Sequence, residues 1–415
     1  MNVFYNTGIA FMRLGVKLAS ARHKKARLMV KGQSTTFQYL KEHLDSNSQC
    51  VWMHVSSLGE FEQGRPLIER IKAEHPEQRI LLTFFSPSGY EVRKNYDKVD
   101  AVCYLPFDTP GNVRRFLDMV NPSMAIFVKY EFWGNYLSEL KRRGVPTYII
   151  SSIFRPGQSF FKPWGGMFRK MLGCFTHLYV QNEESRQLLE GIGITAVTVA
   201  GDTRFDRVAH VRELAKDFPV IEKMTQECPF TLVMGSSWPP DEEIVIPYFN
   251  AHPGMKLIIA PHEFDKERLN ALLGKVKRKA SLYSETSPEQ AVGLDCLVID
   301  CFGILSSVYR YGQMAYIGGG FGSGIHNVNE AAVYGIPVVF GPKHGKFLEA
   351  TELIAAGGGF SVNDATSFAK VMDTMLTDEE QLKRSSHVAG QYIQSHLGAT
   401  DVIYNDLFGK SKMEI

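Results

Sequence analysis

The feature that most constrains the fold of this 415-residue chain is a repeated alternation of short apolar runs with longer helical stretches. In the first half of the chain, the apolar runs cover residues 51–55, 79–83, 102–105, 124–129, 146–150 and 177–181. Strands that alternate with helices are joined by right-handed crossovers and form a parallel sheet. The pattern therefore predicts an α/β domain whose functional residues lie just beyond the carboxyl ends of its strands.

The alternation stops in a charged helical stretch that ends near Cys228, and it then starts again. A chain of this length exceeds one ordinary core, so two domains are expected. We place them at 31–215 and 216–395, after a segment at 1–30 and before a last helix, within 396–415, that is able to cross back to the first domain. Two doubly wound, Rossmann-like domains that face a cleft form the GT-B architecture of glycosyltransferases.

The net charge, the cysteine spacing and the absence of metal-ligand motifs limit the partners and cofactors that this chain is expected to bind. A net charge of +2 excludes a strongly basic nucleic-acid-binding protein, so no nucleic-acid partner is expected. The six cysteines do not pair at metal-ligand spacing, which indicates reduced thiols and a cytosolic setting. We find neither an Asp-x-Asp pair nor a His/Cys cluster, so no metal or other cofactor is expected.

The first 30 residues predict an amphipathic helix that associates with a membrane. Phe4, Phe11, Leu14 and Leu18 share one helical face. Cations lie beside or after this face: Arg13, Lys17, Arg22, Lys24, Lys25 and Arg27. This pattern is typical of a helix that lies on an anionic membrane surface. The segment is too short and too charged to span a bilayer, and it lacks a signal-peptide cleavage site. The alternative is a terminal helix that packs on its own domain.

A glycine-rich stretch at 314–347 predicts a ligand site in the second domain. A short apolar run is followed by Gly318, Gly319 and Gly320, and then by a helix start with Asn327 as N-cap and Glu330 three residues later. Such a loop suits an anion, and a carboxylate beside it suits sugar hydroxyls. The glycine spacing is not the dinucleotide fingerprint. A nucleotide-sugar site is the sharper interpretation, and an ordinary tight turn is the alternative.

Taken in order, several segments give the chain a resemblance to the Kdo transferase family. Besides the N-terminal segment, they are 54–60, 105–108, 131–135, 201–206, 236–243, 300–305 and 318–342. The resemblance implies an inverting glycosyltransferase that moves 3-deoxy-D-manno-oct-2-ulosonic acid (Kdo) from CMP-Kdo to the lipid A precursor (lipid IVA) in lipopolysaccharide core biosynthesis. It also implies an acceptor-binding first domain, a CMP-Kdo-binding second domain, and a location on the cytoplasmic face of the bacterial inner membrane.

The resemblance carries the catalytic base of the family, the glutamate of a Ser-x-Gly-Glu motif, onto Glu60. One carboxylate that takes the proton of the acceptor hydroxyl is what an inverting transfer needs. The alternative is that Glu60 only complements the helix dipole. The second acidic position of the family falls on Glu131, and its cationic position falls on Arg204, for which a surface salt bridge is the alternative.

The CMP-Kdo site implied by the resemblance, together with the glycine loop, comprises Ser236, Ser237, Pro261, His262, Phe302, Gly303, Ile304, Gly319, Gly320, Asn327, Val328, Asn329 and Glu330. The two serines are alternatively caps of the following helix.

Two positions depart from the family pattern: His262 replaces an arginine and Ile304 replaces a glutamate. These departures leave two rival interpretations, another GT-B enzyme such as a UDP-sugar transferase or an epimerase, and a non-catalytic carbohydrate-binding relative.

Overall fold

The computed structural model describes residues 3–45 and 48–409 of the chain. The chain divides into two compact units. Unit 1 holds Met1–Arg207 and Gly398–Ile415, and unit 2 holds Val208–Leu397. The division falls at 207/208, earlier than the boundary at 215/216 expected from the sequence, because helix α9 (Thr203–Glu213) begins in unit 1 and carries the chain into unit 2.

Unit 1 contains a seven-stranded sheet in which every strand pair is parallel. The strand order is β3-β2-β1-β4-β5-β6-β7, so the order reverses between β1 and β4. Its strands are β1 (Cys50–Val55), β2 (Ile80–Phe84), β3 (Ala101–Tyr104), β4 (Pro122–Val128), β5 (Thr147–Ser152), β6 (His177–Val180) and β7 (Val197–Val199).

Unit 2 contains a second parallel sheet of seven strands, in the order β10-β11-β9-β8-β12-β13-β14. The predicted α/β class with two doubly wound sheets is therefore confirmed. The strands are β8 (Thr231–Ser237), β9 (Lys256–Pro261), β10 (Ala280–Leu282), β11 (Cys296–Val298), β12 (Met314–Ile317), β13 (Val338–Phe340) and β14 (Gly359–Ser361).

Nineteen α-helices connect and flank the strands within the described residues. They are α1 (Val3–Ala19), α2 (Lys24–His43), α3 (Leu58–Glu74), α4 (Pro87–Arg93), α5 (Pro110–Val120), α6 (Gly134–Arg142), α7 (Gly166–Leu172), α8 (Glu183–Glu190), α9 (Thr203–Glu213), α10 (Pro219–Thr225), α11 (Pro239–Ala251), α12 (Lys266–Lys275), α13 (Pro288–Ala291), α14 (Leu305–Val308), α15 (Asn329–Ala332), α16 (Leu348–Ala356), α17 (Ala365–Thr377), α18 (Glu379–Ser395) and α19 (Ala399–Phe408).

Each central strand of unit 1 is buried on both faces, which explains why the strands read as continuous apolar runs. Alternate residues point to opposite faces, so Trp52 packs in one core cluster while Val51 and Met53 pack in the other. Helix α19 belongs to the second cluster, where Ile403 and Leu407 are buried. Its first turn is held by Asp206, whose carboxylate accepts hydrogen bonds from the backbone N–H groups of Gly398 and Thr400 at 2.7 and 2.6 Å.

Helix α1 packs on unit 1 through one face and leaves its other face exposed. Tyr5 donates a hydrogen bond of 2.6 Å to Asp108, and its hydroxyl accepts one of 2.9 Å from the N–H of Gly134. Ile9 is buried, whereas the four side chains predicted to form the apolar face are exposed: Phe4, Phe11, Leu14 and Leu18. Within residues 3–45 and 48–409, no helix has the length and apolar character needed to cross a bilayer.

Candidate active site

Glu60 lies in the first turn of α3, which follows β1. The helix begins at Leu58, and Ser57 and Glu60 form a capping box at its start. Glu60 Oε2 accepts hydrogen bonds from the backbone N–H groups of Ser56 and Ser57, at 2.7 and 2.9 Å. These bonds use only one carboxylate oxygen. Helix capping therefore fixes Glu60 and leaves Oε1 to serve another purpose.

Glu131 follows β4, the neighbour of β1 at the point where the strand order reverses. The carboxylate is buried, and its Oε2 accepts a hydrogen bond of 2.6 Å from Trp133 Nε1. The same oxygen lies 3.0 Å from His54 Nε2. The fully buried His54 ring is held in turn by Thr83, whose hydroxyl lies 2.9 Å from Nδ1. An indole and an imidazole thus fix the orientation of the Glu131 carboxylate.

The two carboxyl groups interact electrostatically. Burial raises the pKa of Glu60 above its ordinary value, and the negative charge of Glu131 raises it further. The N–H donors of Ser57 and Ser56 lower this pKa without cancelling the increase. A carboxylate whose pKa approaches the working pH is a better general base than an ordinary one. The arrangement therefore suits Glu60 to accept a proton.

Arg204 lies at the start of α9, and its side chain is mostly buried rather than fully exposed. Its Nε and Nη2 both donate to Asp202 Oδ2, at 2.9 and 2.8 Å. Asp202 also accepts hydrogen bonds from the side-chain amides of Gln63 and Gln181. Although burial opposes it, Arg204 holds the pKa of Asp202 below its ordinary value. The guanidinium is therefore part of a polar network in the domain interior, not the surface salt bridge considered above.

Two arginine side chains, Arg155 and Arg204, lie close to Tyr130, the residue before Glu131. Arg155 Nη1 donates a hydrogen bond of 3.2 Å to the Tyr130 hydroxyl. Burial raises the pKa of Tyr130, while the positive charges of Arg155 and Arg204 oppose the increase. Two guanidinium groups therefore act on the ring next to the acidic pair, where they suit an anionic substrate.

Three residues with positive φ lie at or just after the carboxyl ends of central strands. They are Lys129 (φ 64°), Ser151 (φ 50°) and Ser236 (φ 53°), and none is glycine. Ser151 is supported by a hydrogen bond of 2.8 Å between its hydroxyl and that of Thr203. Non-glycine residues in this region cost free energy and cluster at functional sites. Lys129 and Ser151 lie at the strand ends of unit 1 that carry the residues described above, and Ser236 lies at the end of β8 in unit 2.

In unit 2, the predicted donor-binding residues lie at or after the carboxyl ends of four adjacent strands, in the order β11-β9-β8-β12. Phe302, Gly303 and Ile304 follow β11, and Pro261 and His262 are at the end of β9. Ser236 and Ser237 end β8, and Gly319 and Gly320 follow β12. The strand order therefore brings these segments to one edge of the sheet.

The glycine loop after β12 is held by a buried carboxylate that the sequence did not single out. Asp241 Oδ2 accepts a hydrogen bond of 2.9 Å from the N–H of Gly319, and Oδ1 accepts one of 2.9 Å from the hydroxyl of Tyr316. Gly319 has φ 92°, and a Cβ on Gly320 would overlap the backbone of Gly341. Glycine is therefore required here by backbone conformation at one position and by close packing at the next.

The two serines do not take the capping role that was considered as their alternative. Both belong to β8 rather than to the start of a helix, and α11 begins only at Pro239. Ser237 is buried, and its hydroxyl donates a hydrogen bond of 3.0 Å to Glu242. Glu242 also forms an ion pair with Arg268, so the Ser237 hydroxyl contacts a buried ion pair in the domain interior. Ser236 is half-buried. Neither serine caps α11, whose N-cap residue is Trp238.

His262 belongs to an aromatic stack that includes two residues missed by the sequence analysis. Its ring lies 4.7 Å from the Trp238 ring and 4.6 Å from the His326 ring, measured between centroids. Trp238 Nε1 donates a hydrogen bond of 3.3 Å to His326 Nε2. Burial, and then the charge of His262, lower the pKa of His326 to about 4, so this ring is neutral at physiological pH.

The segment 327–330 adopts a different local structure from the predicted capping box. Helix α15 begins at Asn329, and Val328 rather than Asn327 is the N-cap residue. The Asn327 side chain bonds within the segment instead, because Oδ1 accepts from the N–H of Asn329 at 3.1 Å and Nδ2 donates to Glu330 Oε1 at 3.2 Å. Asn329 is fully buried, and neither polar atom of its side chain has a hydrogen-bond partner in the structure.

Phe302 is 81% exposed, and its ring lies 4.4 Å from that of Phe264. Gly303 has φ 85°, and Ile304 is the N-cap residue of α14 without a side-chain cap.

In the described part of the chain, no three His, Cys, Asp or Glu side chains are grouped so that they could hold a metal ion.

Known proteins resemble this chain over most of its length. A family model described as 3-Deoxy-D-manno-octulosonic-acid transferase (kdotransferase) matches residues 31–207. The 3-deoxy-D-manno-octulosonic acid transferase of Aquifex aeolicus is 28% identical, over 85% of this chain and 94% of the relative. The protein of the same name from Chlamydophila psittaci is 25% identical, over 83% of this chain and 81% of the relative.

These matches show a similarity to Kdo transferases over most of the chain.

Among solved structures, this chain shares its fold with a UDP-GlcNAc 2-epimerase. The epimerase from Neisseria meningitidis, bound to UDP-GlcNAc, superposes with a TM-score of 0.57 at 13% identity. The match covers 86% of this chain and 99% of the epimerase. At this identity the likeness shows the fold alone.

Several residues that build the candidate site were missed by the sequence analysis: His54, Trp133, Asp202, Trp238, Asp241 and His326. His54 begins the matched segment 54–60 and Trp133 lies within 131–135, so the motifs contained both. The signal that would have found them is their position at strand ends. Their partners become evident only when the strand order is known.

Proposed function

We propose that this protein is an inverting glycosyltransferase that transfers Kdo from CMP-Kdo to the lipid A precursor, lipid IVA. The observation that carries the proposal is the acidic pair, in which Glu60 Oε2 is fixed by Ser56 and Ser57 while Glu131 raises the pKa of Glu60. The family relatives are named as transferases of the same sugar acid. Unit 1 then binds the acceptor and unit 2 binds CMP-Kdo.

In the proposed reaction, Glu60 Oε1 takes the proton of the acceptor hydroxyl. The acceptor oxygen forms a bond to the anomeric carbon of Kdo, and the bond from that carbon to the CMP phosphate oxygen breaks with its electron pair. CMP leaves as an anion, and the configuration inverts because the oxygen attacks from the opposite face. Arg204 and Arg155 are positioned to attract the anionic groups of the acceptor or of Kdo.

The test is to incubate the purified protein with CMP-Kdo and lipid IVA, and to weigh the lipid products by mass spectrometry. We expect the acceptor mass to rise by one or more Kdo residues, with release of CMP. A matched incubation with UDP-GlcNAc in place of CMP-Kdo controls for general sugar transfer. Unchanged lipid masses, with intact CMP-Kdo, would show that the protein is not this transferase.

We also propose that the protein acts at the cytoplasmic face of the bacterial inner membrane, where α1 lies on the lipid surface. Phe11 and Leu18 are each 69% exposed on the face of α1 opposite to Tyr5 and Ile9. The cations at 13, 17, 22, 24, 25 and 27 are also exposed, as anionic headgroups require. A membrane location would bring the enzyme to an amphiphilic acceptor.

A further inference from the structure

A cavity of about 330 Å³ lies in unit 1 beside the acidic site. Its walls are mostly aromatic and apolar: Tyr5, Phe132, Phe160, Phe168 and Met171. The volume falls at the lower end of the range of small-molecule sites, about 300–1,000 Å³. No residue assigned above to CMP-Kdo or to proton transfer lines it.

The cavity lies between the segment that follows Glu131 and the inner face of α1. One wall is Phe132, the residue after Glu131, and another is Tyr5, on the inner face of α1. Tyr5 is held in place by its hydrogen bonds to Asp108 and Gly134, so this wall is fixed. A molecule that presents a sugar to Glu131 can therefore extend an apolar portion toward α1.

A second apolar feature lies on the same segment of chain. The 3₁₀ turn Ser159–Phe161 and helix α7 both supply cavity residues. Between them lies Trp164, which is 71% exposed. An exposed tryptophan next to an apolar cavity suits a boundary between water and lipid, where indole rings are enriched.

We propose that this cavity binds one acyl chain of the amphiphilic acceptor, an inference that rests on the proposed function. A volume of about 330 Å³ with mostly aromatic walls suits a segment of an alkyl chain. Its aromatic lining discriminates in favour of apolar chains, while the sugar part of the acceptor stays with Glu60 and Glu131. The cavity thus contributes to the recognition of acylated acceptors.

Gly157 offers a way to block the cavity without disturbing the core. It lines the cavity, and a Cβ at this position would meet nothing within 4 Å. We expect Gly157→Leu to raise the KM for acylated acceptor about tenfold or more, with kcat and the KM for CMP-Kdo unchanged. The inhibition constant of the same sugar without its acyl chains should not change. Gly111→Leu, at an equally open glycine in α5, is the matched control and should behave as wild type.

A second variant tests the cavity in the opposite direction. Phe168→Ala enlarges it, so the chain length at which KM is lowest should move toward longer chains. If Gly157→Leu leaves the acceptor KM unchanged, or raises the deacylated inhibitor constant equally, the assignment is wrong. Absence of Kdo transfer by the wild-type protein would instead overturn the proposed function, so the two failures are distinguishable.

Discussion

Glu60 combines two roles at the scale of a single residue, because its two carboxylate oxygens have different tasks. Oε2 caps α3 through Ser56 and Ser57, and Oε1 is the atom assigned to proton transfer. Capping by the catalytic group fixes its position relative to the strand end without a separate supporting residue. A substitution can therefore separate the two roles if it keeps an oxygen but removes the charge.

We expect Glu60→Gln to lower kcat by about 10²–10⁴-fold while CMP affinity stays near that of wild type. The amide oxygen still accepts from the N–H groups of α3, so the fold is retained. Because burial raises the pKa of Glu60, its ionised form costs stability increasingly as pH rises through that pKa. The neutral variant should therefore have a melting temperature no lower than wild type at neutral pH. Release of CMP in the presence of lipid IVA measures kcat, and a thermal scan measures the melting temperature. A kcat near wild type would remove Glu60 from the mechanism.

Glu131→Gln should shift the pH profile of kcat/KM. Glu60 must be ionised to act as a base, so activity falls as pH falls through its pKa. The Glu131 charge contributes to raising that pKa, and removing the charge should move the acid limb to lower pH. Glu62→Gln, in the same helix, is the matched control because Glu62 pairs with Arg65, Arg93 and Arg207 instead. Superimposable acid limbs for Glu131→Gln and wild type would contradict the electrostatic link.

At the scale of elements, one face of α1 packs on unit 1 and the other face is exposed. Substitutions on the exposed face can therefore test membrane binding without affecting folding. Tyr5 and Ile9 contribute to unit 1, so deleting the helix would damage the domain as well as the surface. We expect the double variant Phe11→Asp with Leu18→Asp to weaken binding to anionic vesicles by about 10²-fold or more, since each buried apolar side chain contributes about 1.5–3 kcal/mol. Vesicle sedimentation at fixed salt measures this loss.

The control for that experiment is Val292→Asp, at an exposed apolar position that lies in unit 2 rather than on α1. It should bind vesicles as wild type does. Both proteins should keep the melting temperature of wild type, because the replaced side chains are largely exposed. Equal vesicle binding by the double variant and by wild type would show that α1 does not contact the membrane.

The strands were the part of the fold that the sequence predicted best. Parallel strands buried on both faces must be apolar throughout, so runs such as 51–55 and 177–181 reveal β1 and β6 almost to the residue. Helix starts were predicted less well. Asn327 was wrong as N-cap because its side chain bonds inside the segment.

The supporting contacts of the candidate site could not be predicted from the chain alone. Glu60 and Glu131 were predicted from motifs, but the contact of His54 with Glu131 depends on the pairing of β1 with β4. That pairing joins residues about half a domain apart in sequence. The cavity beside Phe132 could not be predicted for the same reason, because its walls combine Tyr5 of α1 with residues that are more than 100 positions later in the chain.

At the scale of the whole molecule, the fold is shared with UDP-GlcNAc 2-epimerases, so nucleotide preference is the property that separates the rival functions. We expect CMP to raise the melting temperature of unit 2 more than UDP does at equal concentration. A ligand at about 100 times its Kd stabilises the native state by about 2.7 kcal/mol. Differential scanning calorimetry of the full chain measures both shifts, with AMP as a control, and a larger shift with UDP would favour the epimerase-like alternative.

The return of α19 to unit 1 has a consequence for biosynthesis. Ile403 and Leu407 complete the core around Phe61. The Asp206 carboxylate accepts its hydrogen bonds from the backbone N–H groups of Gly398 and Thr400. On a translating ribosome, all of unit 2 emerges before these residues do. Unit 1 is made first but is completed last, so its unfinished core must be kept from aggregating while the second sheet folds. A premature stop codon just before α19 would therefore damage the part of the protein that was synthesised earliest.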